Sequence, residues 1–443
     1  MRFGVCAEIS IAKIAPRMSS DSISDADTPR NPRVVIAGGG AAGFFAAITC
    51  AEANPQAGIH IFEKSSQVLT KVAHSGGGRC NVTHACFEPR DFATRFPRGE
   101  RPLIRPLHRF SASETVEWFA ARGVRLKTEA DGRMFPVTNS SETIVRCLED
   151  SARQAGVQVH LRDGVESASR GSDEFVVETT GSGSVACDRL ILATGGSRVP
   201  DGARIAAAFG HPILPPVPSL FAFDTTLPWV RGLAGVSVNP VEVSVPGTSL
   251  RQTGPLLFTH RGLSGPAILR LSAWGARELE ERGYQFTLKA CWLPGTTEPA
   301  AEEFLRSLAT ANPSRLVKNL HPGEAPSGQS VGLPSRLWEQ LCGLAGVAAE
   351  TRWSQLAREP RRTLARLLVR TEIPVSGKSL NKEEFVTCGG VDCGEIDFLT
   401  MESRLCPGLH FAGELLDIDG ITGGFNFQAA WTTGFLAGNA CAK

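Results

Sequence analysis

Val34-Val35-Ile36-Ala37-Gly38-Gly39-Gly40-Ala41-Ala42-Gly43 decides the fold, together with Glu63, which closes Gly58-Ile59-His60-Ile61-Phe62-Glu63 twenty positions beyond the last of those glycines. The β-branched run from Val34 to Ile36 reads as a buried strand, and Phe44 to Ala51 continues as a helix of small and apolar residues. Strand, glycine turn and helix in that order make a dinucleotide grip. Gly38 permits the tight turn, Gly40 lets a pyrophosphate approach the backbone, and Gly43 lets the helix pack against the sheet. The phosphates then meet the unpaired N–H groups and positive dipole end of the helix. Glu63 accepts hydrogen bonds from the hydroxyls of an adenosine ribose and repels a 2′-phosphate.

With 443 residues the chain exceeds the usual size of one domain, and two or more are expected. Its net charge of +1 leaves no electrostatic footprint for nucleic acid, so none is expected as a partner. Twelve cysteines lie scattered without a Cys-x-x-Cys pair, which argues against a zinc site or a disulfide framework and fits reduced thiols in a cytoplasmic protein; no metal is expected. No apolar stretch is long enough to span a membrane. Residues 1–32 read as a flexible extension, or as an over-long start with Met18 as an alternative initiator.

From Val34 to about Pro200 strands and helices alternate, an α/β pattern. Helices are expected near Ser113 to Arg122 and Ser141 to Ala155, with strands at Val157 to Leu161 and Phe175 to Thr179. The apolar strand Asp188 to Ala193 runs into Thr194-Gly195-Gly196, a turn of the kind where ligands bind at the carboxyl ends of parallel strands. After Pro200 the texture becomes proline-rich with short alternating runs, and from Phe385 the α/β texture returns. The organisation expected is a Rossmann-type domain in two parts, 33–205 and 385–443. Between them an antiparallel β-rich domain (206–298 and 346–384) and a small helical domain (299–345) are inserted.

Two further segments carry chemistry. Lys71-Val72-Ala73-His74-Ser75-Gly76-Gly77-Gly78-Arg79-Cys80-Asn81 puts three glycines beside hydrogen-bond donors, as a loop around an anion or ring edge requires. In Gly413-Glu414-Leu415-Leu416-Asp417-Ile418-Asp419-Gly420-Ile421-Thr422-Gly423-Gly424-Phe425-Asn426 a strand ends and a helix begins. That helix start is either an ordinary capped terminus or one aimed at an isoalloxazine, where it would stabilise the charge gathering near N1 on reduction.

These segments, with Gly132-Arg133-Met134-Phe135-Pro136, Phe258-Thr259-His260-Arg261-Gly262-Leu263-Ser264-Gly265-Pro266 and Thr400-Met401-Glu402-Ser403, resemble the BaiN-like (YhiN-like) bacterial flavoproteins over about residues 33–440. The resemblance implies an FAD-dependent oxidoreductase related to glutathione-reductase-like and fumarate-reductase-like flavoproteins. NADH or NADPH would serve as a transient electron donor, and the reaction would reduce a carbon–carbon double bond conjugated to a ketone. By position, it implies that Gly38, Gly40, Ala41, Ala42 and Gly43 hold the pyrophosphate, Glu63 and Lys64 the ribose region, and Val165 the adenine. Lys71, Ser75, Gly76, Gly77, Gly78, Arg79, Cys80 and Asn81 would run along flavin and pyrophosphate, and Thr194 and Gly195 beside the adenosine half. Gly413, Glu414 and Asp417 would lie near the ribityl chain, with Gly423, Gly424, Phe425 and Asn426 at the ring.

Candidate proton donors or carbonyl polarisers for a small-molecule substrate are His260, Arg261 and Arg79; His260 also reads as a structural histidine and Arg79 as an FAD ligand. The chain departs from the family at Cys388, where Ala is usual, and in a short loop at 197–202. No second glycine fingerprint marks a separate nicotinamide domain. A flavin-binding redox sensor or interaction protein, and an FAD-dependent dehydrogenase or oxidase, remain open as alternatives. The oligomeric state is not readable.

Overall fold

Strand β1 (Arg33–Ala37) is apolar from Val34 to Ala37 and has to be covered on both faces, which places it inside a parallel sheet. The computed structural model describes residues 31–196, 201–323, 328, 331–379 and 386–443. In it β1 lies between β2 (Gly58–Glu63) and the strand Arg189–Leu192, parallel to both, with Ile36 opposite Ile61 and Ile191. Gln158–Leu161 extends the sheet beyond β2, and Leu409–Phe411 extends it on the other side. Two short antiparallel strands, Glu402–Ser403 and Ile396–Asp397, finish that edge.

The helix α1 (Ala41–Ala53) leaves the glycine turn and packs along the C-terminal helix Phe425–Cys441. Small residues allow the two backbones to approach: a Cβ on Gly434 would lie 2.6 Å from the Ala42 carbonyl oxygen. Phe44, Phe45, Ile48, Trp431 and Leu436 fill this first core with the sheet strands. A three-stranded meander, Val165–Arg170, Phe175–Thr179 and Gly183–Cys187, is laid beside it.

The chain leaves this domain along Ile213–Ser219 and returns along Val386–Val391, and these two segments pair antiparallel. Between them lies a seven-stranded sheet with its own core. Burial alternates along Ser237–Ser244, with Val238, Val241 and Val243 inward, as a half-covered strand requires. The segment 299–345, expected to be a separate helical domain, shares this core. Ala301, Leu305, Leu337 and Trp338 from the helices Glu298–Ala311 and Ser335–Leu344 pack in one cluster with Val243, Leu288 and Ile373 of the sheet. The apolar stripe of each short helix has no depth of its own and is covered by the sheet. Two indoles within this core are satisfied, Trp292 donating to Thr371 Oγ1 at 2.8 Å and Trp338 to the Val317 carbonyl at 2.8 Å, while the buried Trp353 Nε1 has no partner among the described residues. The extension 1–32 falls, but for its last two residues, outside the described residues, as do positions 197–200 of the short loop. Among the described residues no helix is long and apolar enough to cross a membrane.

Candidate functional site

At the carboxyl end of β1 the backbone turns with Gly38 at φ +111°, and a Cβ there would lie 2.5 Å from the Ala193 carbonyl oxygen. Gly43 seats α1 directly on the Gly38 carbonyl, while nothing stands within 4 Å of where a Gly40 Cβ would project. Gly40 is the N-cap of α1 and supplies no side-chain acceptor, and the first turn carries no acid. The first N–H groups of the helix are therefore left for an external anion, in front of open space. Glu63 is held beside them: its Oε2 accepts from Gly39 N at 2.8 Å and its Oε1 from Ser65 N at 2.9 Å. Gly38, Glu63, Lys64, Val165, Thr194, Gly195 and Glu414 line one cleft of about 240 Å³. An uncapped helix start, a clear approach to the backbone and a fixed carboxylate fit the diphosphate and adenosine ribose of FAD.

The segment expected as a glycine loop begins as a helical turn at Thr70 and breaks at Ser75, Gly76 and Gly77, the two glycines adopting left-handed backbone. Cys80 N returns to the Ser75 carbonyl at 3.0 Å. The Cys80 thiol is buried and pushed up to about 12, so it stays protonated and packs as a small apolar group. The Asn81 amide joins two elements, donating to the Thr83 carbonyl at 3.1 Å and accepting from Gly424 N at 3.0 Å. Gly424 is left-handed at φ +93°, and a Cβ there would collide with the Thr83 carbonyl. Trp431 Nε1 donates to the Val82 carbonyl at 2.9 Å, clamping this strand to the C-terminal helix. The loop 75–81 and the start of the C-terminal helix are thus one construction.

Several expected contact residues already have partners. The Arg79 guanidinium pairs with Glu129 at 2.7 Å and lies 4.0 Å above the Phe135 ring centre. Lys71 pairs with Glu414 at 2.5 Å, and the other Glu414 oxygen accepts from Thr387 N at 2.9 Å. Asp417 accepts from Arg277 and from Gly389 N, each at 2.8 Å. The Asn426 amide closes the preceding loop, bonding Gly420 N at 2.8 Å and the Gly420 carbonyl at 2.9 Å. His260 and Arg261 sit on the turn between the strands Arg251–Phe258 and Gly262–Ser264. Both are exposed, Arg261 pairs with Asp224 at 2.6 Å, and neither lines the cleft. Cys388 is fully buried and pushed up to about 11 by burial, a packing thiol.

Other residues were not singled out by the motifs. His84 follows the Ser75–Thr83 motif directly; its ring stacks on Phe425 at 4.8 Å between centres and its Nε2 lies 3.1 Å from the Asp131 carbonyl. Burial lowers its pKa below the ordinary value, which keeps the ring neutral near pH 7. Phe92 and Phe96 complete an aromatic wall around Phe425. Arg98 and Asp419 form a buried ion pair, with Arg98 Nε 2.6 Å from Asp419 Oδ1. The same guanidinium donates to the Ala273 carbonyl at 2.6 Å, and Ser219 Oγ donates to Asp419 at 2.7 Å. Four segments from both cores meet at this pair. Burial pushes the Asp419 carboxyl up, while Arg98 and Ser219 draw it down. Asp419 lay inside a quoted motif, but only the tertiary contact reveals its partner.

Comparison with known proteins follows the same outline. The family model described as "HI0933-like protein Rossmann domain" matches residues 32–440. A ribosomal RNA dihydrouridine synthase from Escherichia coli (strain K12) is 31% identical over 425 residues, covering 92% of this chain and 96% of the relative. A 3-dehydro-bile acid delta(4,6)-reductase from Clostridium scindens is 29% identical over 424 residues, covering 93% and 99%. In fold the chain is similar to the 3-ketosteroid-delta4-(5alpha)-dehydrogenase from Rhodococcus jostii RHA1, with a TM-score of 0.51 at 16% identity over 95% of this chain and 99% of that one. The chain belongs to the HI0933-like Rossmann-domain family and is an FAD-dependent oxidoreductase.

Proposed function

We propose that the protein reduces a carbon–carbon double bond conjugated to a carbonyl group. The observation that carries this reading is the far end of the cofactor site. There the start of the helix Phe425–Cys441, beginning at the left-handed Gly423-Gly424, is walled by His84, Phe92 and Phe96, and the loop before it reaches Ser219 through Asp419. FAD, when bound, supplies the hydride. The Asn81–Gly424 contact fixes the turn that would lie beside the ring, where the aromatic wall would exclude water and the helix start would offer N–H groups to negative charge.

The relatives support the same chemistry. A delta(4,6)-reductase acting on a 3-dehydro bile acid saturates double bonds conjugated to a ketone. Making dihydrouridine saturates the C5–C6 bond of uracil, which is conjugated to the C4 carbonyl. The two substrates differ in size and charge but share the reacting unit. The net charge of +1 argued against nucleic acid, yet it is a whole-chain average, and the relatives named for ribosomal RNA favour a uridine base in RNA as a second reading.

A nicotinamide nucleotide is the proposed reductant of the flavin, with the protein then passing hydride to the β carbon and a proton reaching the α carbon. Anaerobic stopped-flow mixing tests this directly. NADH or NADPH should bleach the flavin, and the reduced protein should be reoxidised by a conjugated steroid dienone or by unmodified ribosomal RNA. Bleaching by neither nucleotide removes the nicotinamide; reoxidation by oxygen alone, with peroxide formed, replaces the reductase reading with an oxidase.

A further inference from the structure

The helix Glu100–Leu107 turns Leu103, Pro106 and Leu107 inward and packs on the C-terminal helix Phe425–Cys441. Its opposite side carries Arg101 and Arg105, and Arg109 repeats the spacing of four just past its end; all three are exposed. Arginines four apart on a helix repel one another. Elsewhere the chain sets an acid at that spacing, as in the pairs Glu142–Arg146, Glu278–Arg282 and Glu302–Arg306. Among the described residues Arg101, Arg105 and Arg109 have no ion pair. Arg101 and Arg105 share a cleft of about 340 Å³ with Arg404, which follows the edge strand Glu402–Ser403. Ile104, Phe398 and Leu399 add apolar surface to that cleft, and its one acid, Asp397, turns to the backbone, where Oδ1 accepts from Leu399 N at 2.9 Å.

The segment from Pro89 to Arg109 holds six arginines against two acids, Asp91 and Glu100, in a chain that totals 46 cationic and 45 acidic residues. Local charge therefore departs from the balanced whole. The exposed cations follow one another along a helix face instead of converging on one point, a form that suits a chain of phosphates better than a single small anion. The same segment borders the ring end of the cofactor site. Phe92 and Phe96 pack on Phe425, and the Arg95 and Arg98 carbonyls accept from Ile421 N at 3.0 Å and Asp419 N at 3.2 Å. A strand laid along the outer side of this segment passes next to the wall of the reacting site.

We propose that Arg101, Arg105 and Arg404 dock the phosphate backbone of single-stranded RNA; this rests on the RNA reading above. Phosphate contacts set the register of the strand and leave recognition of the base to the reacting site. A uridine has to leave its stack before C5 and C6 can meet a flavin. An unpaired strand held on a row of arginines delivers it already unstacked. A small conjugated ketone needs none of these cations, so the face separates the two substrates by charge alone.

The test uses the FAD-loaded full-length protein, the double variant Arg101→Gln with Arg105→Gln, the single variant Arg404→Gln, and Arg146→Gln on another helix as a control. FAD content and melting temperature check folding. Binding of a fluorescein-labelled oligouridylate is read by anisotropy over a range of potassium chloride. The dissociation constant should rise roughly tenfold in the double variant, and the slope of its logarithm against that of salt should fall by about 0.7 for each arginine removed, with Arg146→Gln matching the wild type. In the second measurement the reduced flavin is reoxidised anaerobically by subsaturating unmodified ribosomal RNA or by cyclohex-2-enone. The double variant should be slowed roughly tenfold with RNA and unchanged with the enone. Equal oligouridylate binding in all the proteins, or none in the wild type, overturns the docking face; reoxidation by RNA at equal rates would then leave the RNA reading standing. Arginine-dependent binding with no reoxidation by RNA supports the face and sinks RNA as the substrate. Wild-type binding to phosphatidylglycerol vesicles, lost in the double variant and with no binding of oligouridylate, assigns the face to a membrane and overturns the proposal.

Discussion

The two ends of the cofactor site are built on different plans. The adenosine end is nearly all backbone: three glycines, an uncapped helix and one carboxylate held by two N–H groups, all within residues 38–65. The opposite end joins the backbone start of the helix Phe425–Cys441 to side chains from distant segments, Asn81, His84, Arg98 and Asp419, with Arg98 and Asp419 reaching Ala273 and Ser219. A grip for a constant cofactor is local and rigid, whereas a reacting site is assembled from distant segments, and its members can be exchanged one at a time.

The sharpest way to break the second plan while sparing the first is Asp419→Ala. It leaves Arg98 buried without its acid and should cost about 3–5 kcal/mol in chemical denaturation. A loss below about 1 kcal/mol would show that the two cores do not depend on this pair. The first plan is broken by Gly43→Val, whose side chain has no room above the Gly38 carbonyl; FAD should be lost on purification, with affinity down roughly 100-fold, about 3 kcal/mol. Retention of FAD at wild-type affinity would mean that α1 does not seat against the turn as described. Glu63→Gln is milder, removing charge from two hydrogen bonds and from the proposed ribose contact; FAD should bind roughly tenfold more weakly by fluorescence titration.

Acid should act on both ends. Burial lowers the pKa of His60, His84, His211 and His410 below the ordinary 6.5. The unfolded chain therefore takes up protons that the folded chain refuses. Stability from these groups is fully present above pH 6.5 and is lost as pH falls through their lower folded values. Thermal unfolding midpoints should fall between pH 7.5 and pH 5.5, and a flat profile would contradict the burial. The smallest effect is expected at His260→Ala, an exposed turn residue off the cleft, with enone turnover kept within about threefold.

What could be read from the chain follows the same division. The helices Ala112–Ala121 and Glu142–Gln154 and the strands Gln158–Leu161, Phe175–Thr179 and Arg189–Leu192 were legible because their hydrophobic period is local, and the glycine turn was legible because its residues are contiguous; the short elements Pro89–Ala93, Glu100–Leu107 and Val165–Arg170 were not read, since too few residues carry each period. The helices between 298 and 344 were legible as helices but not as part of the β core, since their covering faces come from strands up to a hundred residues away. Arg98 carries no local signal at all. An arginine in a turn between two short helices reads as a solvated charge, and only its contacts with Asp419 and the Ala273 carbonyl distinguish it. Asn426 shows the opposite error: it stands in a long motif, yet its amide is used to close a loop.

The paired segments Ile213–Ser219 and Val386–Val391 have an evolutionary consequence. The chain departs and comes back through neighbouring strands, so the whole second core is a single graft on one stem. Replacing it would alter no connection in the parallel sheet and leave the nucleotide grip untouched. A lineage could thus change what is reduced by swapping one contiguous cassette, while inheriting unchanged the means of carrying the electrons.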